Sequence, residues 1–391
     1  MRQRSVGGVL LALALTAPLL AGCSSSDDEN GPAPDRNTAE PSAEGGTADE
    51  SPAASAAPER GEVEVLETLA DGLGSPWGLA PLPDGDVLVG SRDGGTLSLV
   101  AAGGEVTELG GVPGVVANGE GGLLGLALAP DFDTTGRLFV YTTTASDNRI
   151  IPLTLDGDPD ADERLTFEEP LLTGIPRGEV IHNGGGLAFG PDGMLYASTG
   201  DAADPPLAQD PGSLAGKILR IDPETGAPPA DNPDPESLVL SLGHRNVQGL
   251  AWDAEGRLWA SEFGDDSWDE LNLIESGGNY GWPEHEGEGG ADDGFVDPVA
   301  SWPPAEASPS GLAFSGGSLW LAGLRGERLW RVPMDGAEPV ADPEAFLEGE
   351  FGRLRGLVAV GDDELLLATN ETDRRGSPGE GDDRLLRLRV R

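Results

Sequence analysis

A Gly-Leu-Ala string that leads through a turn into a second apolar run recurs along this chain, and such a repeat constrains the fold more than composition does. Gly78-Leu79-Ala80 leads through Pro83-Asp84-Gly85 to Val87-Leu88-Val89, and Gly125-Leu126-Ala127 through Pro130-Asp131 to Leu138-Phe139-Val140. Gly186-Leu187-Ala188 leads through Pro191-Asp192-Gly193 to Leu195-Tyr196-Ala197. Gly249-Leu250-Ala251 precedes Leu258-Trp259-Ala260, Gly311-Leu312-Ala313 precedes Leu319-Trp320-Leu321, and Gly356-Leu357-Val358 precedes Leu365-Leu366-Leu367. Each unit reads as a hairpin by its turn chemistry, and no stretch sustains a helical period. Further apolar runs at Thr96 to Ala101, Lys217 to Ile221, Glu270 to Ile274 and Leu329 to Val332 supply additional strands. The expectation is an all-β fold, a six-bladed β-propeller of four-stranded blades, whose loops converge at one end of the central channel.

The chain before the repeat has a different character. Arg2 and Arg4 precede an apolar run from Val9 to Leu20 that is short for a membrane span. Leu20-Ala21-Gly22-Cys23 then fits a bacterial lipoprotein signal, with residues 1–22 removed and Cys23 lipidated. Cys23 is the only cysteine, so no disulfide forms within the chain. From 23 to 60 the sequence is Ser, Ala, Pro, Asp, Glu and Gly, too poor in apolar side chains to offset the entropy of ordering. That stretch is expected to be a disordered tether, leaving a propeller over 61–391 held outside the cytoplasm at a membrane by its lipid alone.

A net charge of −45 excludes nucleic acid as a partner, because phosphate binding needs basic surface. Lys217 is the sole lysine, so the informative cations are arginines that cluster. His182-Asn183-Gly184-Gly185-Gly186 carries one of only three histidines. Imidazole suits proton removal near neutral pH, and consecutive glycines let backbone pass close to a flat ligand or a neighbouring loop. Alone, the string is equally an ordinary glycine-rich turn with a solvated histidine.

Taken in order, several strings resemble the soluble PQQ-dependent sugar dehydrogenases of the glucose/sorbosone or aldose group. They are Ser75-Pro76-Trp77-Gly78, Gly121-Gly122-Leu123-Leu124-Gly125, His182-Asn183-Gly184-Gly185, Gly243-His244-Arg245-Asn246, Asp269-Glu270-Leu271-Asn272, Gly278-Asn279-Tyr280-Gly281-Trp282-Pro283 and Arg353-Leu354-Arg355. The resemblance implies oxidation of an aldose at its anomeric carbon to the lactone, with PQQ and calcium as cofactors and an external electron acceptor. It implies that His182 is the base and that Arg245 and Asn246 contact cofactor and substrate. Arg325, Arg353 and Arg355 are then the cations for the cofactor's carboxylates, with Arg325 where the family usually has lysine. Arg353 and Arg355, two apart, are expected to project to one side of an extended strand. The carbonyls of Gly264 and Asp265 match a calcium segment, and Glu270 with the Tyr280 carbonyl matches a second, structural calcium.

The sequence also departs from that pattern. Glu120 stands where a cofactor-contacting Gln is usual, and a carboxylate beside a tricarboxylate repels it unless protonated or turned away. Ile181, Gly186, Phe263 and Asp265 are further replacements. Two other readings stay open: a non-catalytic binding propeller and a calcium-dependent lactonase. Substrate choice is expected to lie in the variable loops Asp201 to Pro211 and Glu284 to Val296.

Overall fold

The computed structural model describes residues 56–159, 161 and 163–391. Cys23 and the signal, with most of the proposed tether, lie outside the described residues. Six antiparallel sheets form the body. The first is Pro76–Pro81, Val87–Ser91, Thr96–Val100 and Val106–Gly111, in sequence order from the axis outward. Blades 2 to 5 begin with the inner strands Leu123–Leu128, Leu187–Phe189, Val247–Trp252 and Pro309–Ser315. Each expected additional run is the third strand of its blade, as in Lys217–Ile221 and Asp269–Leu273.

Blade 6 departs from that order. Its inner three strands are Leu354–Val360, Glu364–Thr369 and Leu385–Val390, but the fourth is Val63–Ala70 from the start of the body. Val63 pairs with Val390 and Val65 with Leu388, so the two ends of the body close one sheet. Order also begins earlier than position 61. The Ala57 N–H donates to the Met334 carbonyl at 2.9 Å, and Arg331 donates to the Pro58 carbonyl at 2.8 Å. The last residues of the expected tether are therefore fastened to blade 5, beside Gly317 in its first turn.

The repeated glycines have a common packing reason. A Cβ on Gly125 would lie 2.2 Å from the Gly185 carbonyl oxygen, and one on Gly311 would lie 2.5 Å from that of Arg355. The other four repeat glycines meet a carbonyl of the next inner strand in the same way, Gly356 reaching Trp77 and closing the ring. Each inner strand therefore packs backbone against backbone, where only glycine fits. The following leucines line a narrow axial space of about 80 Å³. Apolar clusters fill the gaps between neighbouring blades, for example Leu88, Leu97, Leu138 and Val140 between blades 1 and 2. Burial there supplies the main stabilisation, about 25 cal/mol per Å² of apolar surface.

Candidate active site

The loops that precede inner strands and those that join second to third strands meet at one end of the axis. They enclose a cleft of about 380 Å³ that includes Glu120, His182, Arg245, Arg325, Arg353 and Arg375.

His182 is fixed at both its backbone and its ring. Its backbone lies in the left-handed region at φ 62°, which costs a non-glycine residue energy and requires support. Support comes from its N–H, which donates to Glu120 Oε2 at 2.9 Å. The ring Nδ1 lies 2.7 Å from Asp201 Oδ1. Asp201 is fully buried and also accepts from Ala203 N–H and from the Trp282 indole at 2.9 Å. Facing an acceptor of this kind, Nδ1 carries the hydrogen and Nε2 keeps its lone pair. The string is thus no solvated turn: His182 is only 7% exposed, and a Cβ on Gly184 would sit 2.5 Å from Thr199 Cα.

The loop that holds Asp201 is itself braced by the sole lysine. Lys217 is fully buried, and its Nζ donates to the carbonyls of Leu207, Ala208 and Ala215 at 2.7–2.8 Å. Burial pushes its ammonium down to about 8.

The expected cations divide by depth. Arg325 is exposed at the cleft and has no side-chain partner among the described residues. Arg353 lines the cleft and pairs with Asp373 at 2.8 Å, while its buried Nε finds no acceptor. Arg355 does not reach the cleft. It is 2% exposed in the axial space, bonded to Asn370 at 2.7 Å and Gln248 at 3.0 Å, and burial pushes its guanidinium down to about 9. Both arginines approach Asp373 Oδ2, at 2.8 and 3.7 Å, so they share a side but not a level. A register irregularity between Leu354 and Leu357 sets the step.

Asn246 is likewise behind the wall. It is fully buried, accepts the Gly184 N–H at 3.0 Å and donates to Glu120 at 3.3 Å, leaving no amide atom aimed at the cleft. Arg245 does line the cleft, over the Trp282 ring at 5.2 Å. Its guanidinium donates to the Gly264 carbonyl and, at 2.7 Å, to the Asp265 carboxylate. The segment expected to face calcium therefore faces a cation already.

Glu270 belongs to a separate buried cluster. Asn272 bridges the Glu262 and Glu270 carboxylates at 3.2 and 3.1 Å, and His244 contacts Glu262 at 2.8 Å. Tyr280 stacks on His244 at 4.5 Å. Burial and the Glu262 charge push the Glu270 carboxyl well above its usual range. Among the described residues no group of three or more His, Cys, Asp or Glu converges for a metal. Glu262 accepts from His244, Asn272 and the Arg245 N–H, and Glu270 from Asn272 and the Gly287 N–H, which leaves two neighbouring buried acids whose charge a cation would balance. Arg245 occupies the Gly264 carbonyl but reaches Asp265 through its carboxylate, not its carbonyl.

Two site residues were not evident from sequence motifs. Asp201 opens a loop that reads only as variable, and Arg375 belongs to an Arg-Arg doublet outside every repeat. Arg375 pairs with Glu120 at 3.0 Å.

Comparison with known proteins gives this geometry its context. The family described as Glucose / Sorbosone dehydrogenase matches residues 73–378. A solved PQQ-bound aldose sugar dehydrogenase from Streptomyces coelicolor is 58% identical with a TM-score of 0.84, covering 86% of this chain and all of that one. The aldose sugar dehydrogenase YliI of Escherichia coli is 32% identical over 81% of this chain and 92% of its own. Quinoprotein glucose dehydrogenase B of Acinetobacter calcoaceticus is 33% identical over 56% of this chain and 52% of its own. The chain belongs to the glucose/sorbosone dehydrogenase family.

Proposed function

We propose that this protein oxidises an aldose at its anomeric carbon to the lactone with PQQ, and passes the electrons to an external acceptor. The observation that carries the reading is His182, whose Nε2 is free at the cleft while Asp201 holds the opposite nitrogen. The cleft volume falls within the range of about 300–1,000 Å³ usual for small-molecule sites. PQQ is a flat tricarboxylate, and the residues present fit it: among the described residues Arg325 has no side-chain partner, and Arg245 and Arg353 each keep a buried Nε without an acceptor. When bound, PQQ supplies the quinone that accepts the hydride.

The protein's own part is proton transfer and positioning. His182 Nε2 takes the sugar hydroxyl proton, and the Asp201 carboxylate stabilises the imidazolium so formed. Trp282 and Ala203 keep that carboxylate aimed at the ring. A titration of purified protein with PQQ, followed by tryptophan fluorescence and by dye reduction with a panel of aldoses, tests the assignment. Saturable binding with sugar-dependent reduction is expected; a flat titration defeats it.

Calcium is proposed at the Glu262 and Glu270 cluster beside Tyr280, where a cation relieves two buried carboxylates. A calcium ion on the Gly264 and Asp265 carbonyls requires the Arg245 guanidinium to leave the Gly264 carbonyl first; at Asp265 the guanidinium holds the carboxylate instead. Because a ligand bound only by the native state stabilises it, about 100 Kd of calcium adds about 2.7 kcal/mol. Melting in calcium should exceed melting in chelator. Superimposed curves remove the metal.

The lipobox motivates one more proposal, that Cys23 carries lipid and holds the protein at the outer side of the membrane. Cys23→Ser should move the protein from the membrane to the soluble fraction, and unchanged partitioning rules the anchor out.

A further inference from the structure

Glu120, with Asp265 and Asp269, is a carboxylate in the wall of a cleft that four arginines also line, and it is 7% exposed. Its oxygens are committed: Oε2 accepts the His182 N–H at 2.9 Å and the Asn246 amide at 3.3 Å, while Oε1 accepts from Arg375 at 3.0 Å. Arg375 comes from the blade 6 loop, 255 residues away, and its side chain is 46% exposed. Asp373 shapes that loop, accepting the N–H groups of Arg375 at 2.9 Å and Gly376 at 3.2 Å. The same Asp373 pairs with Arg353. Among the described residues Arg375 is the one cationic side chain paired with Glu120.

We propose that Arg375 is a positioning and charge-balancing residue: it cancels Glu120 so that the cleft accepts an anionic cofactor, and it holds Glu120 against the backbone of the base. The proposal rests on the reading that the cleft takes PQQ. An unbalanced Glu120 repels a nearby carboxylate, and in a partly desolvated site that repulsion is large. Freed of Arg375, the carboxylate also turns toward water and releases the His182 N–H, which loses its support at positive φ.

The two residues therefore have opposite consequences when changed singly. Glu120→Gln removes the repelling charge, keeps an oxygen for His182 and Asn246, and frees the Arg375 cation for the ligand. Arg375→Gln leaves the anion uncompensated. In the double variant two neutral amides face each other.

PQQ titrations by tryptophan fluorescence should give Kd raised at least about tenfold in Arg375→Gln, unchanged or lower in Glu120→Gln, and within about threefold of the parent in the double variant. Rescue by the second substitution is a result that general loosening of the loop does not produce. Parent-like binding by Arg375→Gln, or equal damage from both single changes without recovery, overturns the proposal. Failure of the parent to bind PQQ instead strikes the functional reading. The pair then retains its own test in the melting of cofactor-free protein, where Arg375→Gln should be the least stable of the three and the double variant should recover. If Arg375→Gln melts with the parent, the pairing is refuted as well.

Discussion

Replacing His182 with alanine is expected to lower kcat/KM for aldose oxidation by about a thousandfold, inside the range of about 10²–10⁴ for a lost general base. Without the imidazole the sugar hydroxyl keeps its proton, and a neutral alcohol is a poor hydride donor. PQQ binding should survive, because the arginines at 325 and 353 reach the cleft independently of the histidine. Asp201→Asn supplies a graded version. Its amide can present an NH₂ group to Nδ1, which places the ring hydrogen on Nε2, the atom that must accept. A rate deficit that added base does not relieve, with cofactor affinity intact, is the expected signature. If His182→Ala keeps more than about a tenth of the parent rate, another group is the base.

The second large effect concerns the ring of inner strands. Gly125→Ala is expected to destabilise the protein by about 3 kcal/mol, at the upper end of overpacking, because its Cβ falls 2.2 Å from backbone that cannot rotate away. Gly193→Ala is the control: its φ is positive at 78°, unlike that of Gly125, and nothing lies within 4 Å of the added carbon. That substitution should cost only the conformational strain, of the order of 1 kcal/mol. Denaturant midpoints for the two variants separate steric closure of the ring from backbone strain. Equal midpoints contradict the packing account of the repeated glycine.

These two sites show what the sequence exposes and what it hides. Blade number is visible because each inner strand needs the same glycine against its neighbour, so the need repeats in the sequence. The closing strand Val63–Ala70 carries no such string: an outer strand touches solvent and makes no backbone contact at the axis. His182, Arg245 and Arg353 are recognisable for a related reason, as they occupy the loops that enter inner strands at the cleft. Arg355 and Asn246 come from the same strings yet sit below the surface, since their level depends on strand register and neighbouring bulges. Asp201 meets its partner 19 residues away across the first hairpin of its own blade, whereas Arg375 reaches a partner 255 residues away, a convergence created only when the ring closes.

The fastening of the chain ends has a practical consequence. Glu62 and Arg391 exchange backbone hydrogen bonds at 3.0 Å, and Ala57 lies by the turn that joins Ser315 to Ser318, the end of blade 5 remote from the cleft. A handle at either end therefore leaves the mouth of the cleft unobstructed. Immobilised through residue 56 on an electrode or a bead, the protein would turn the mouth of the cleft to the bulk liquid and its far face to the support.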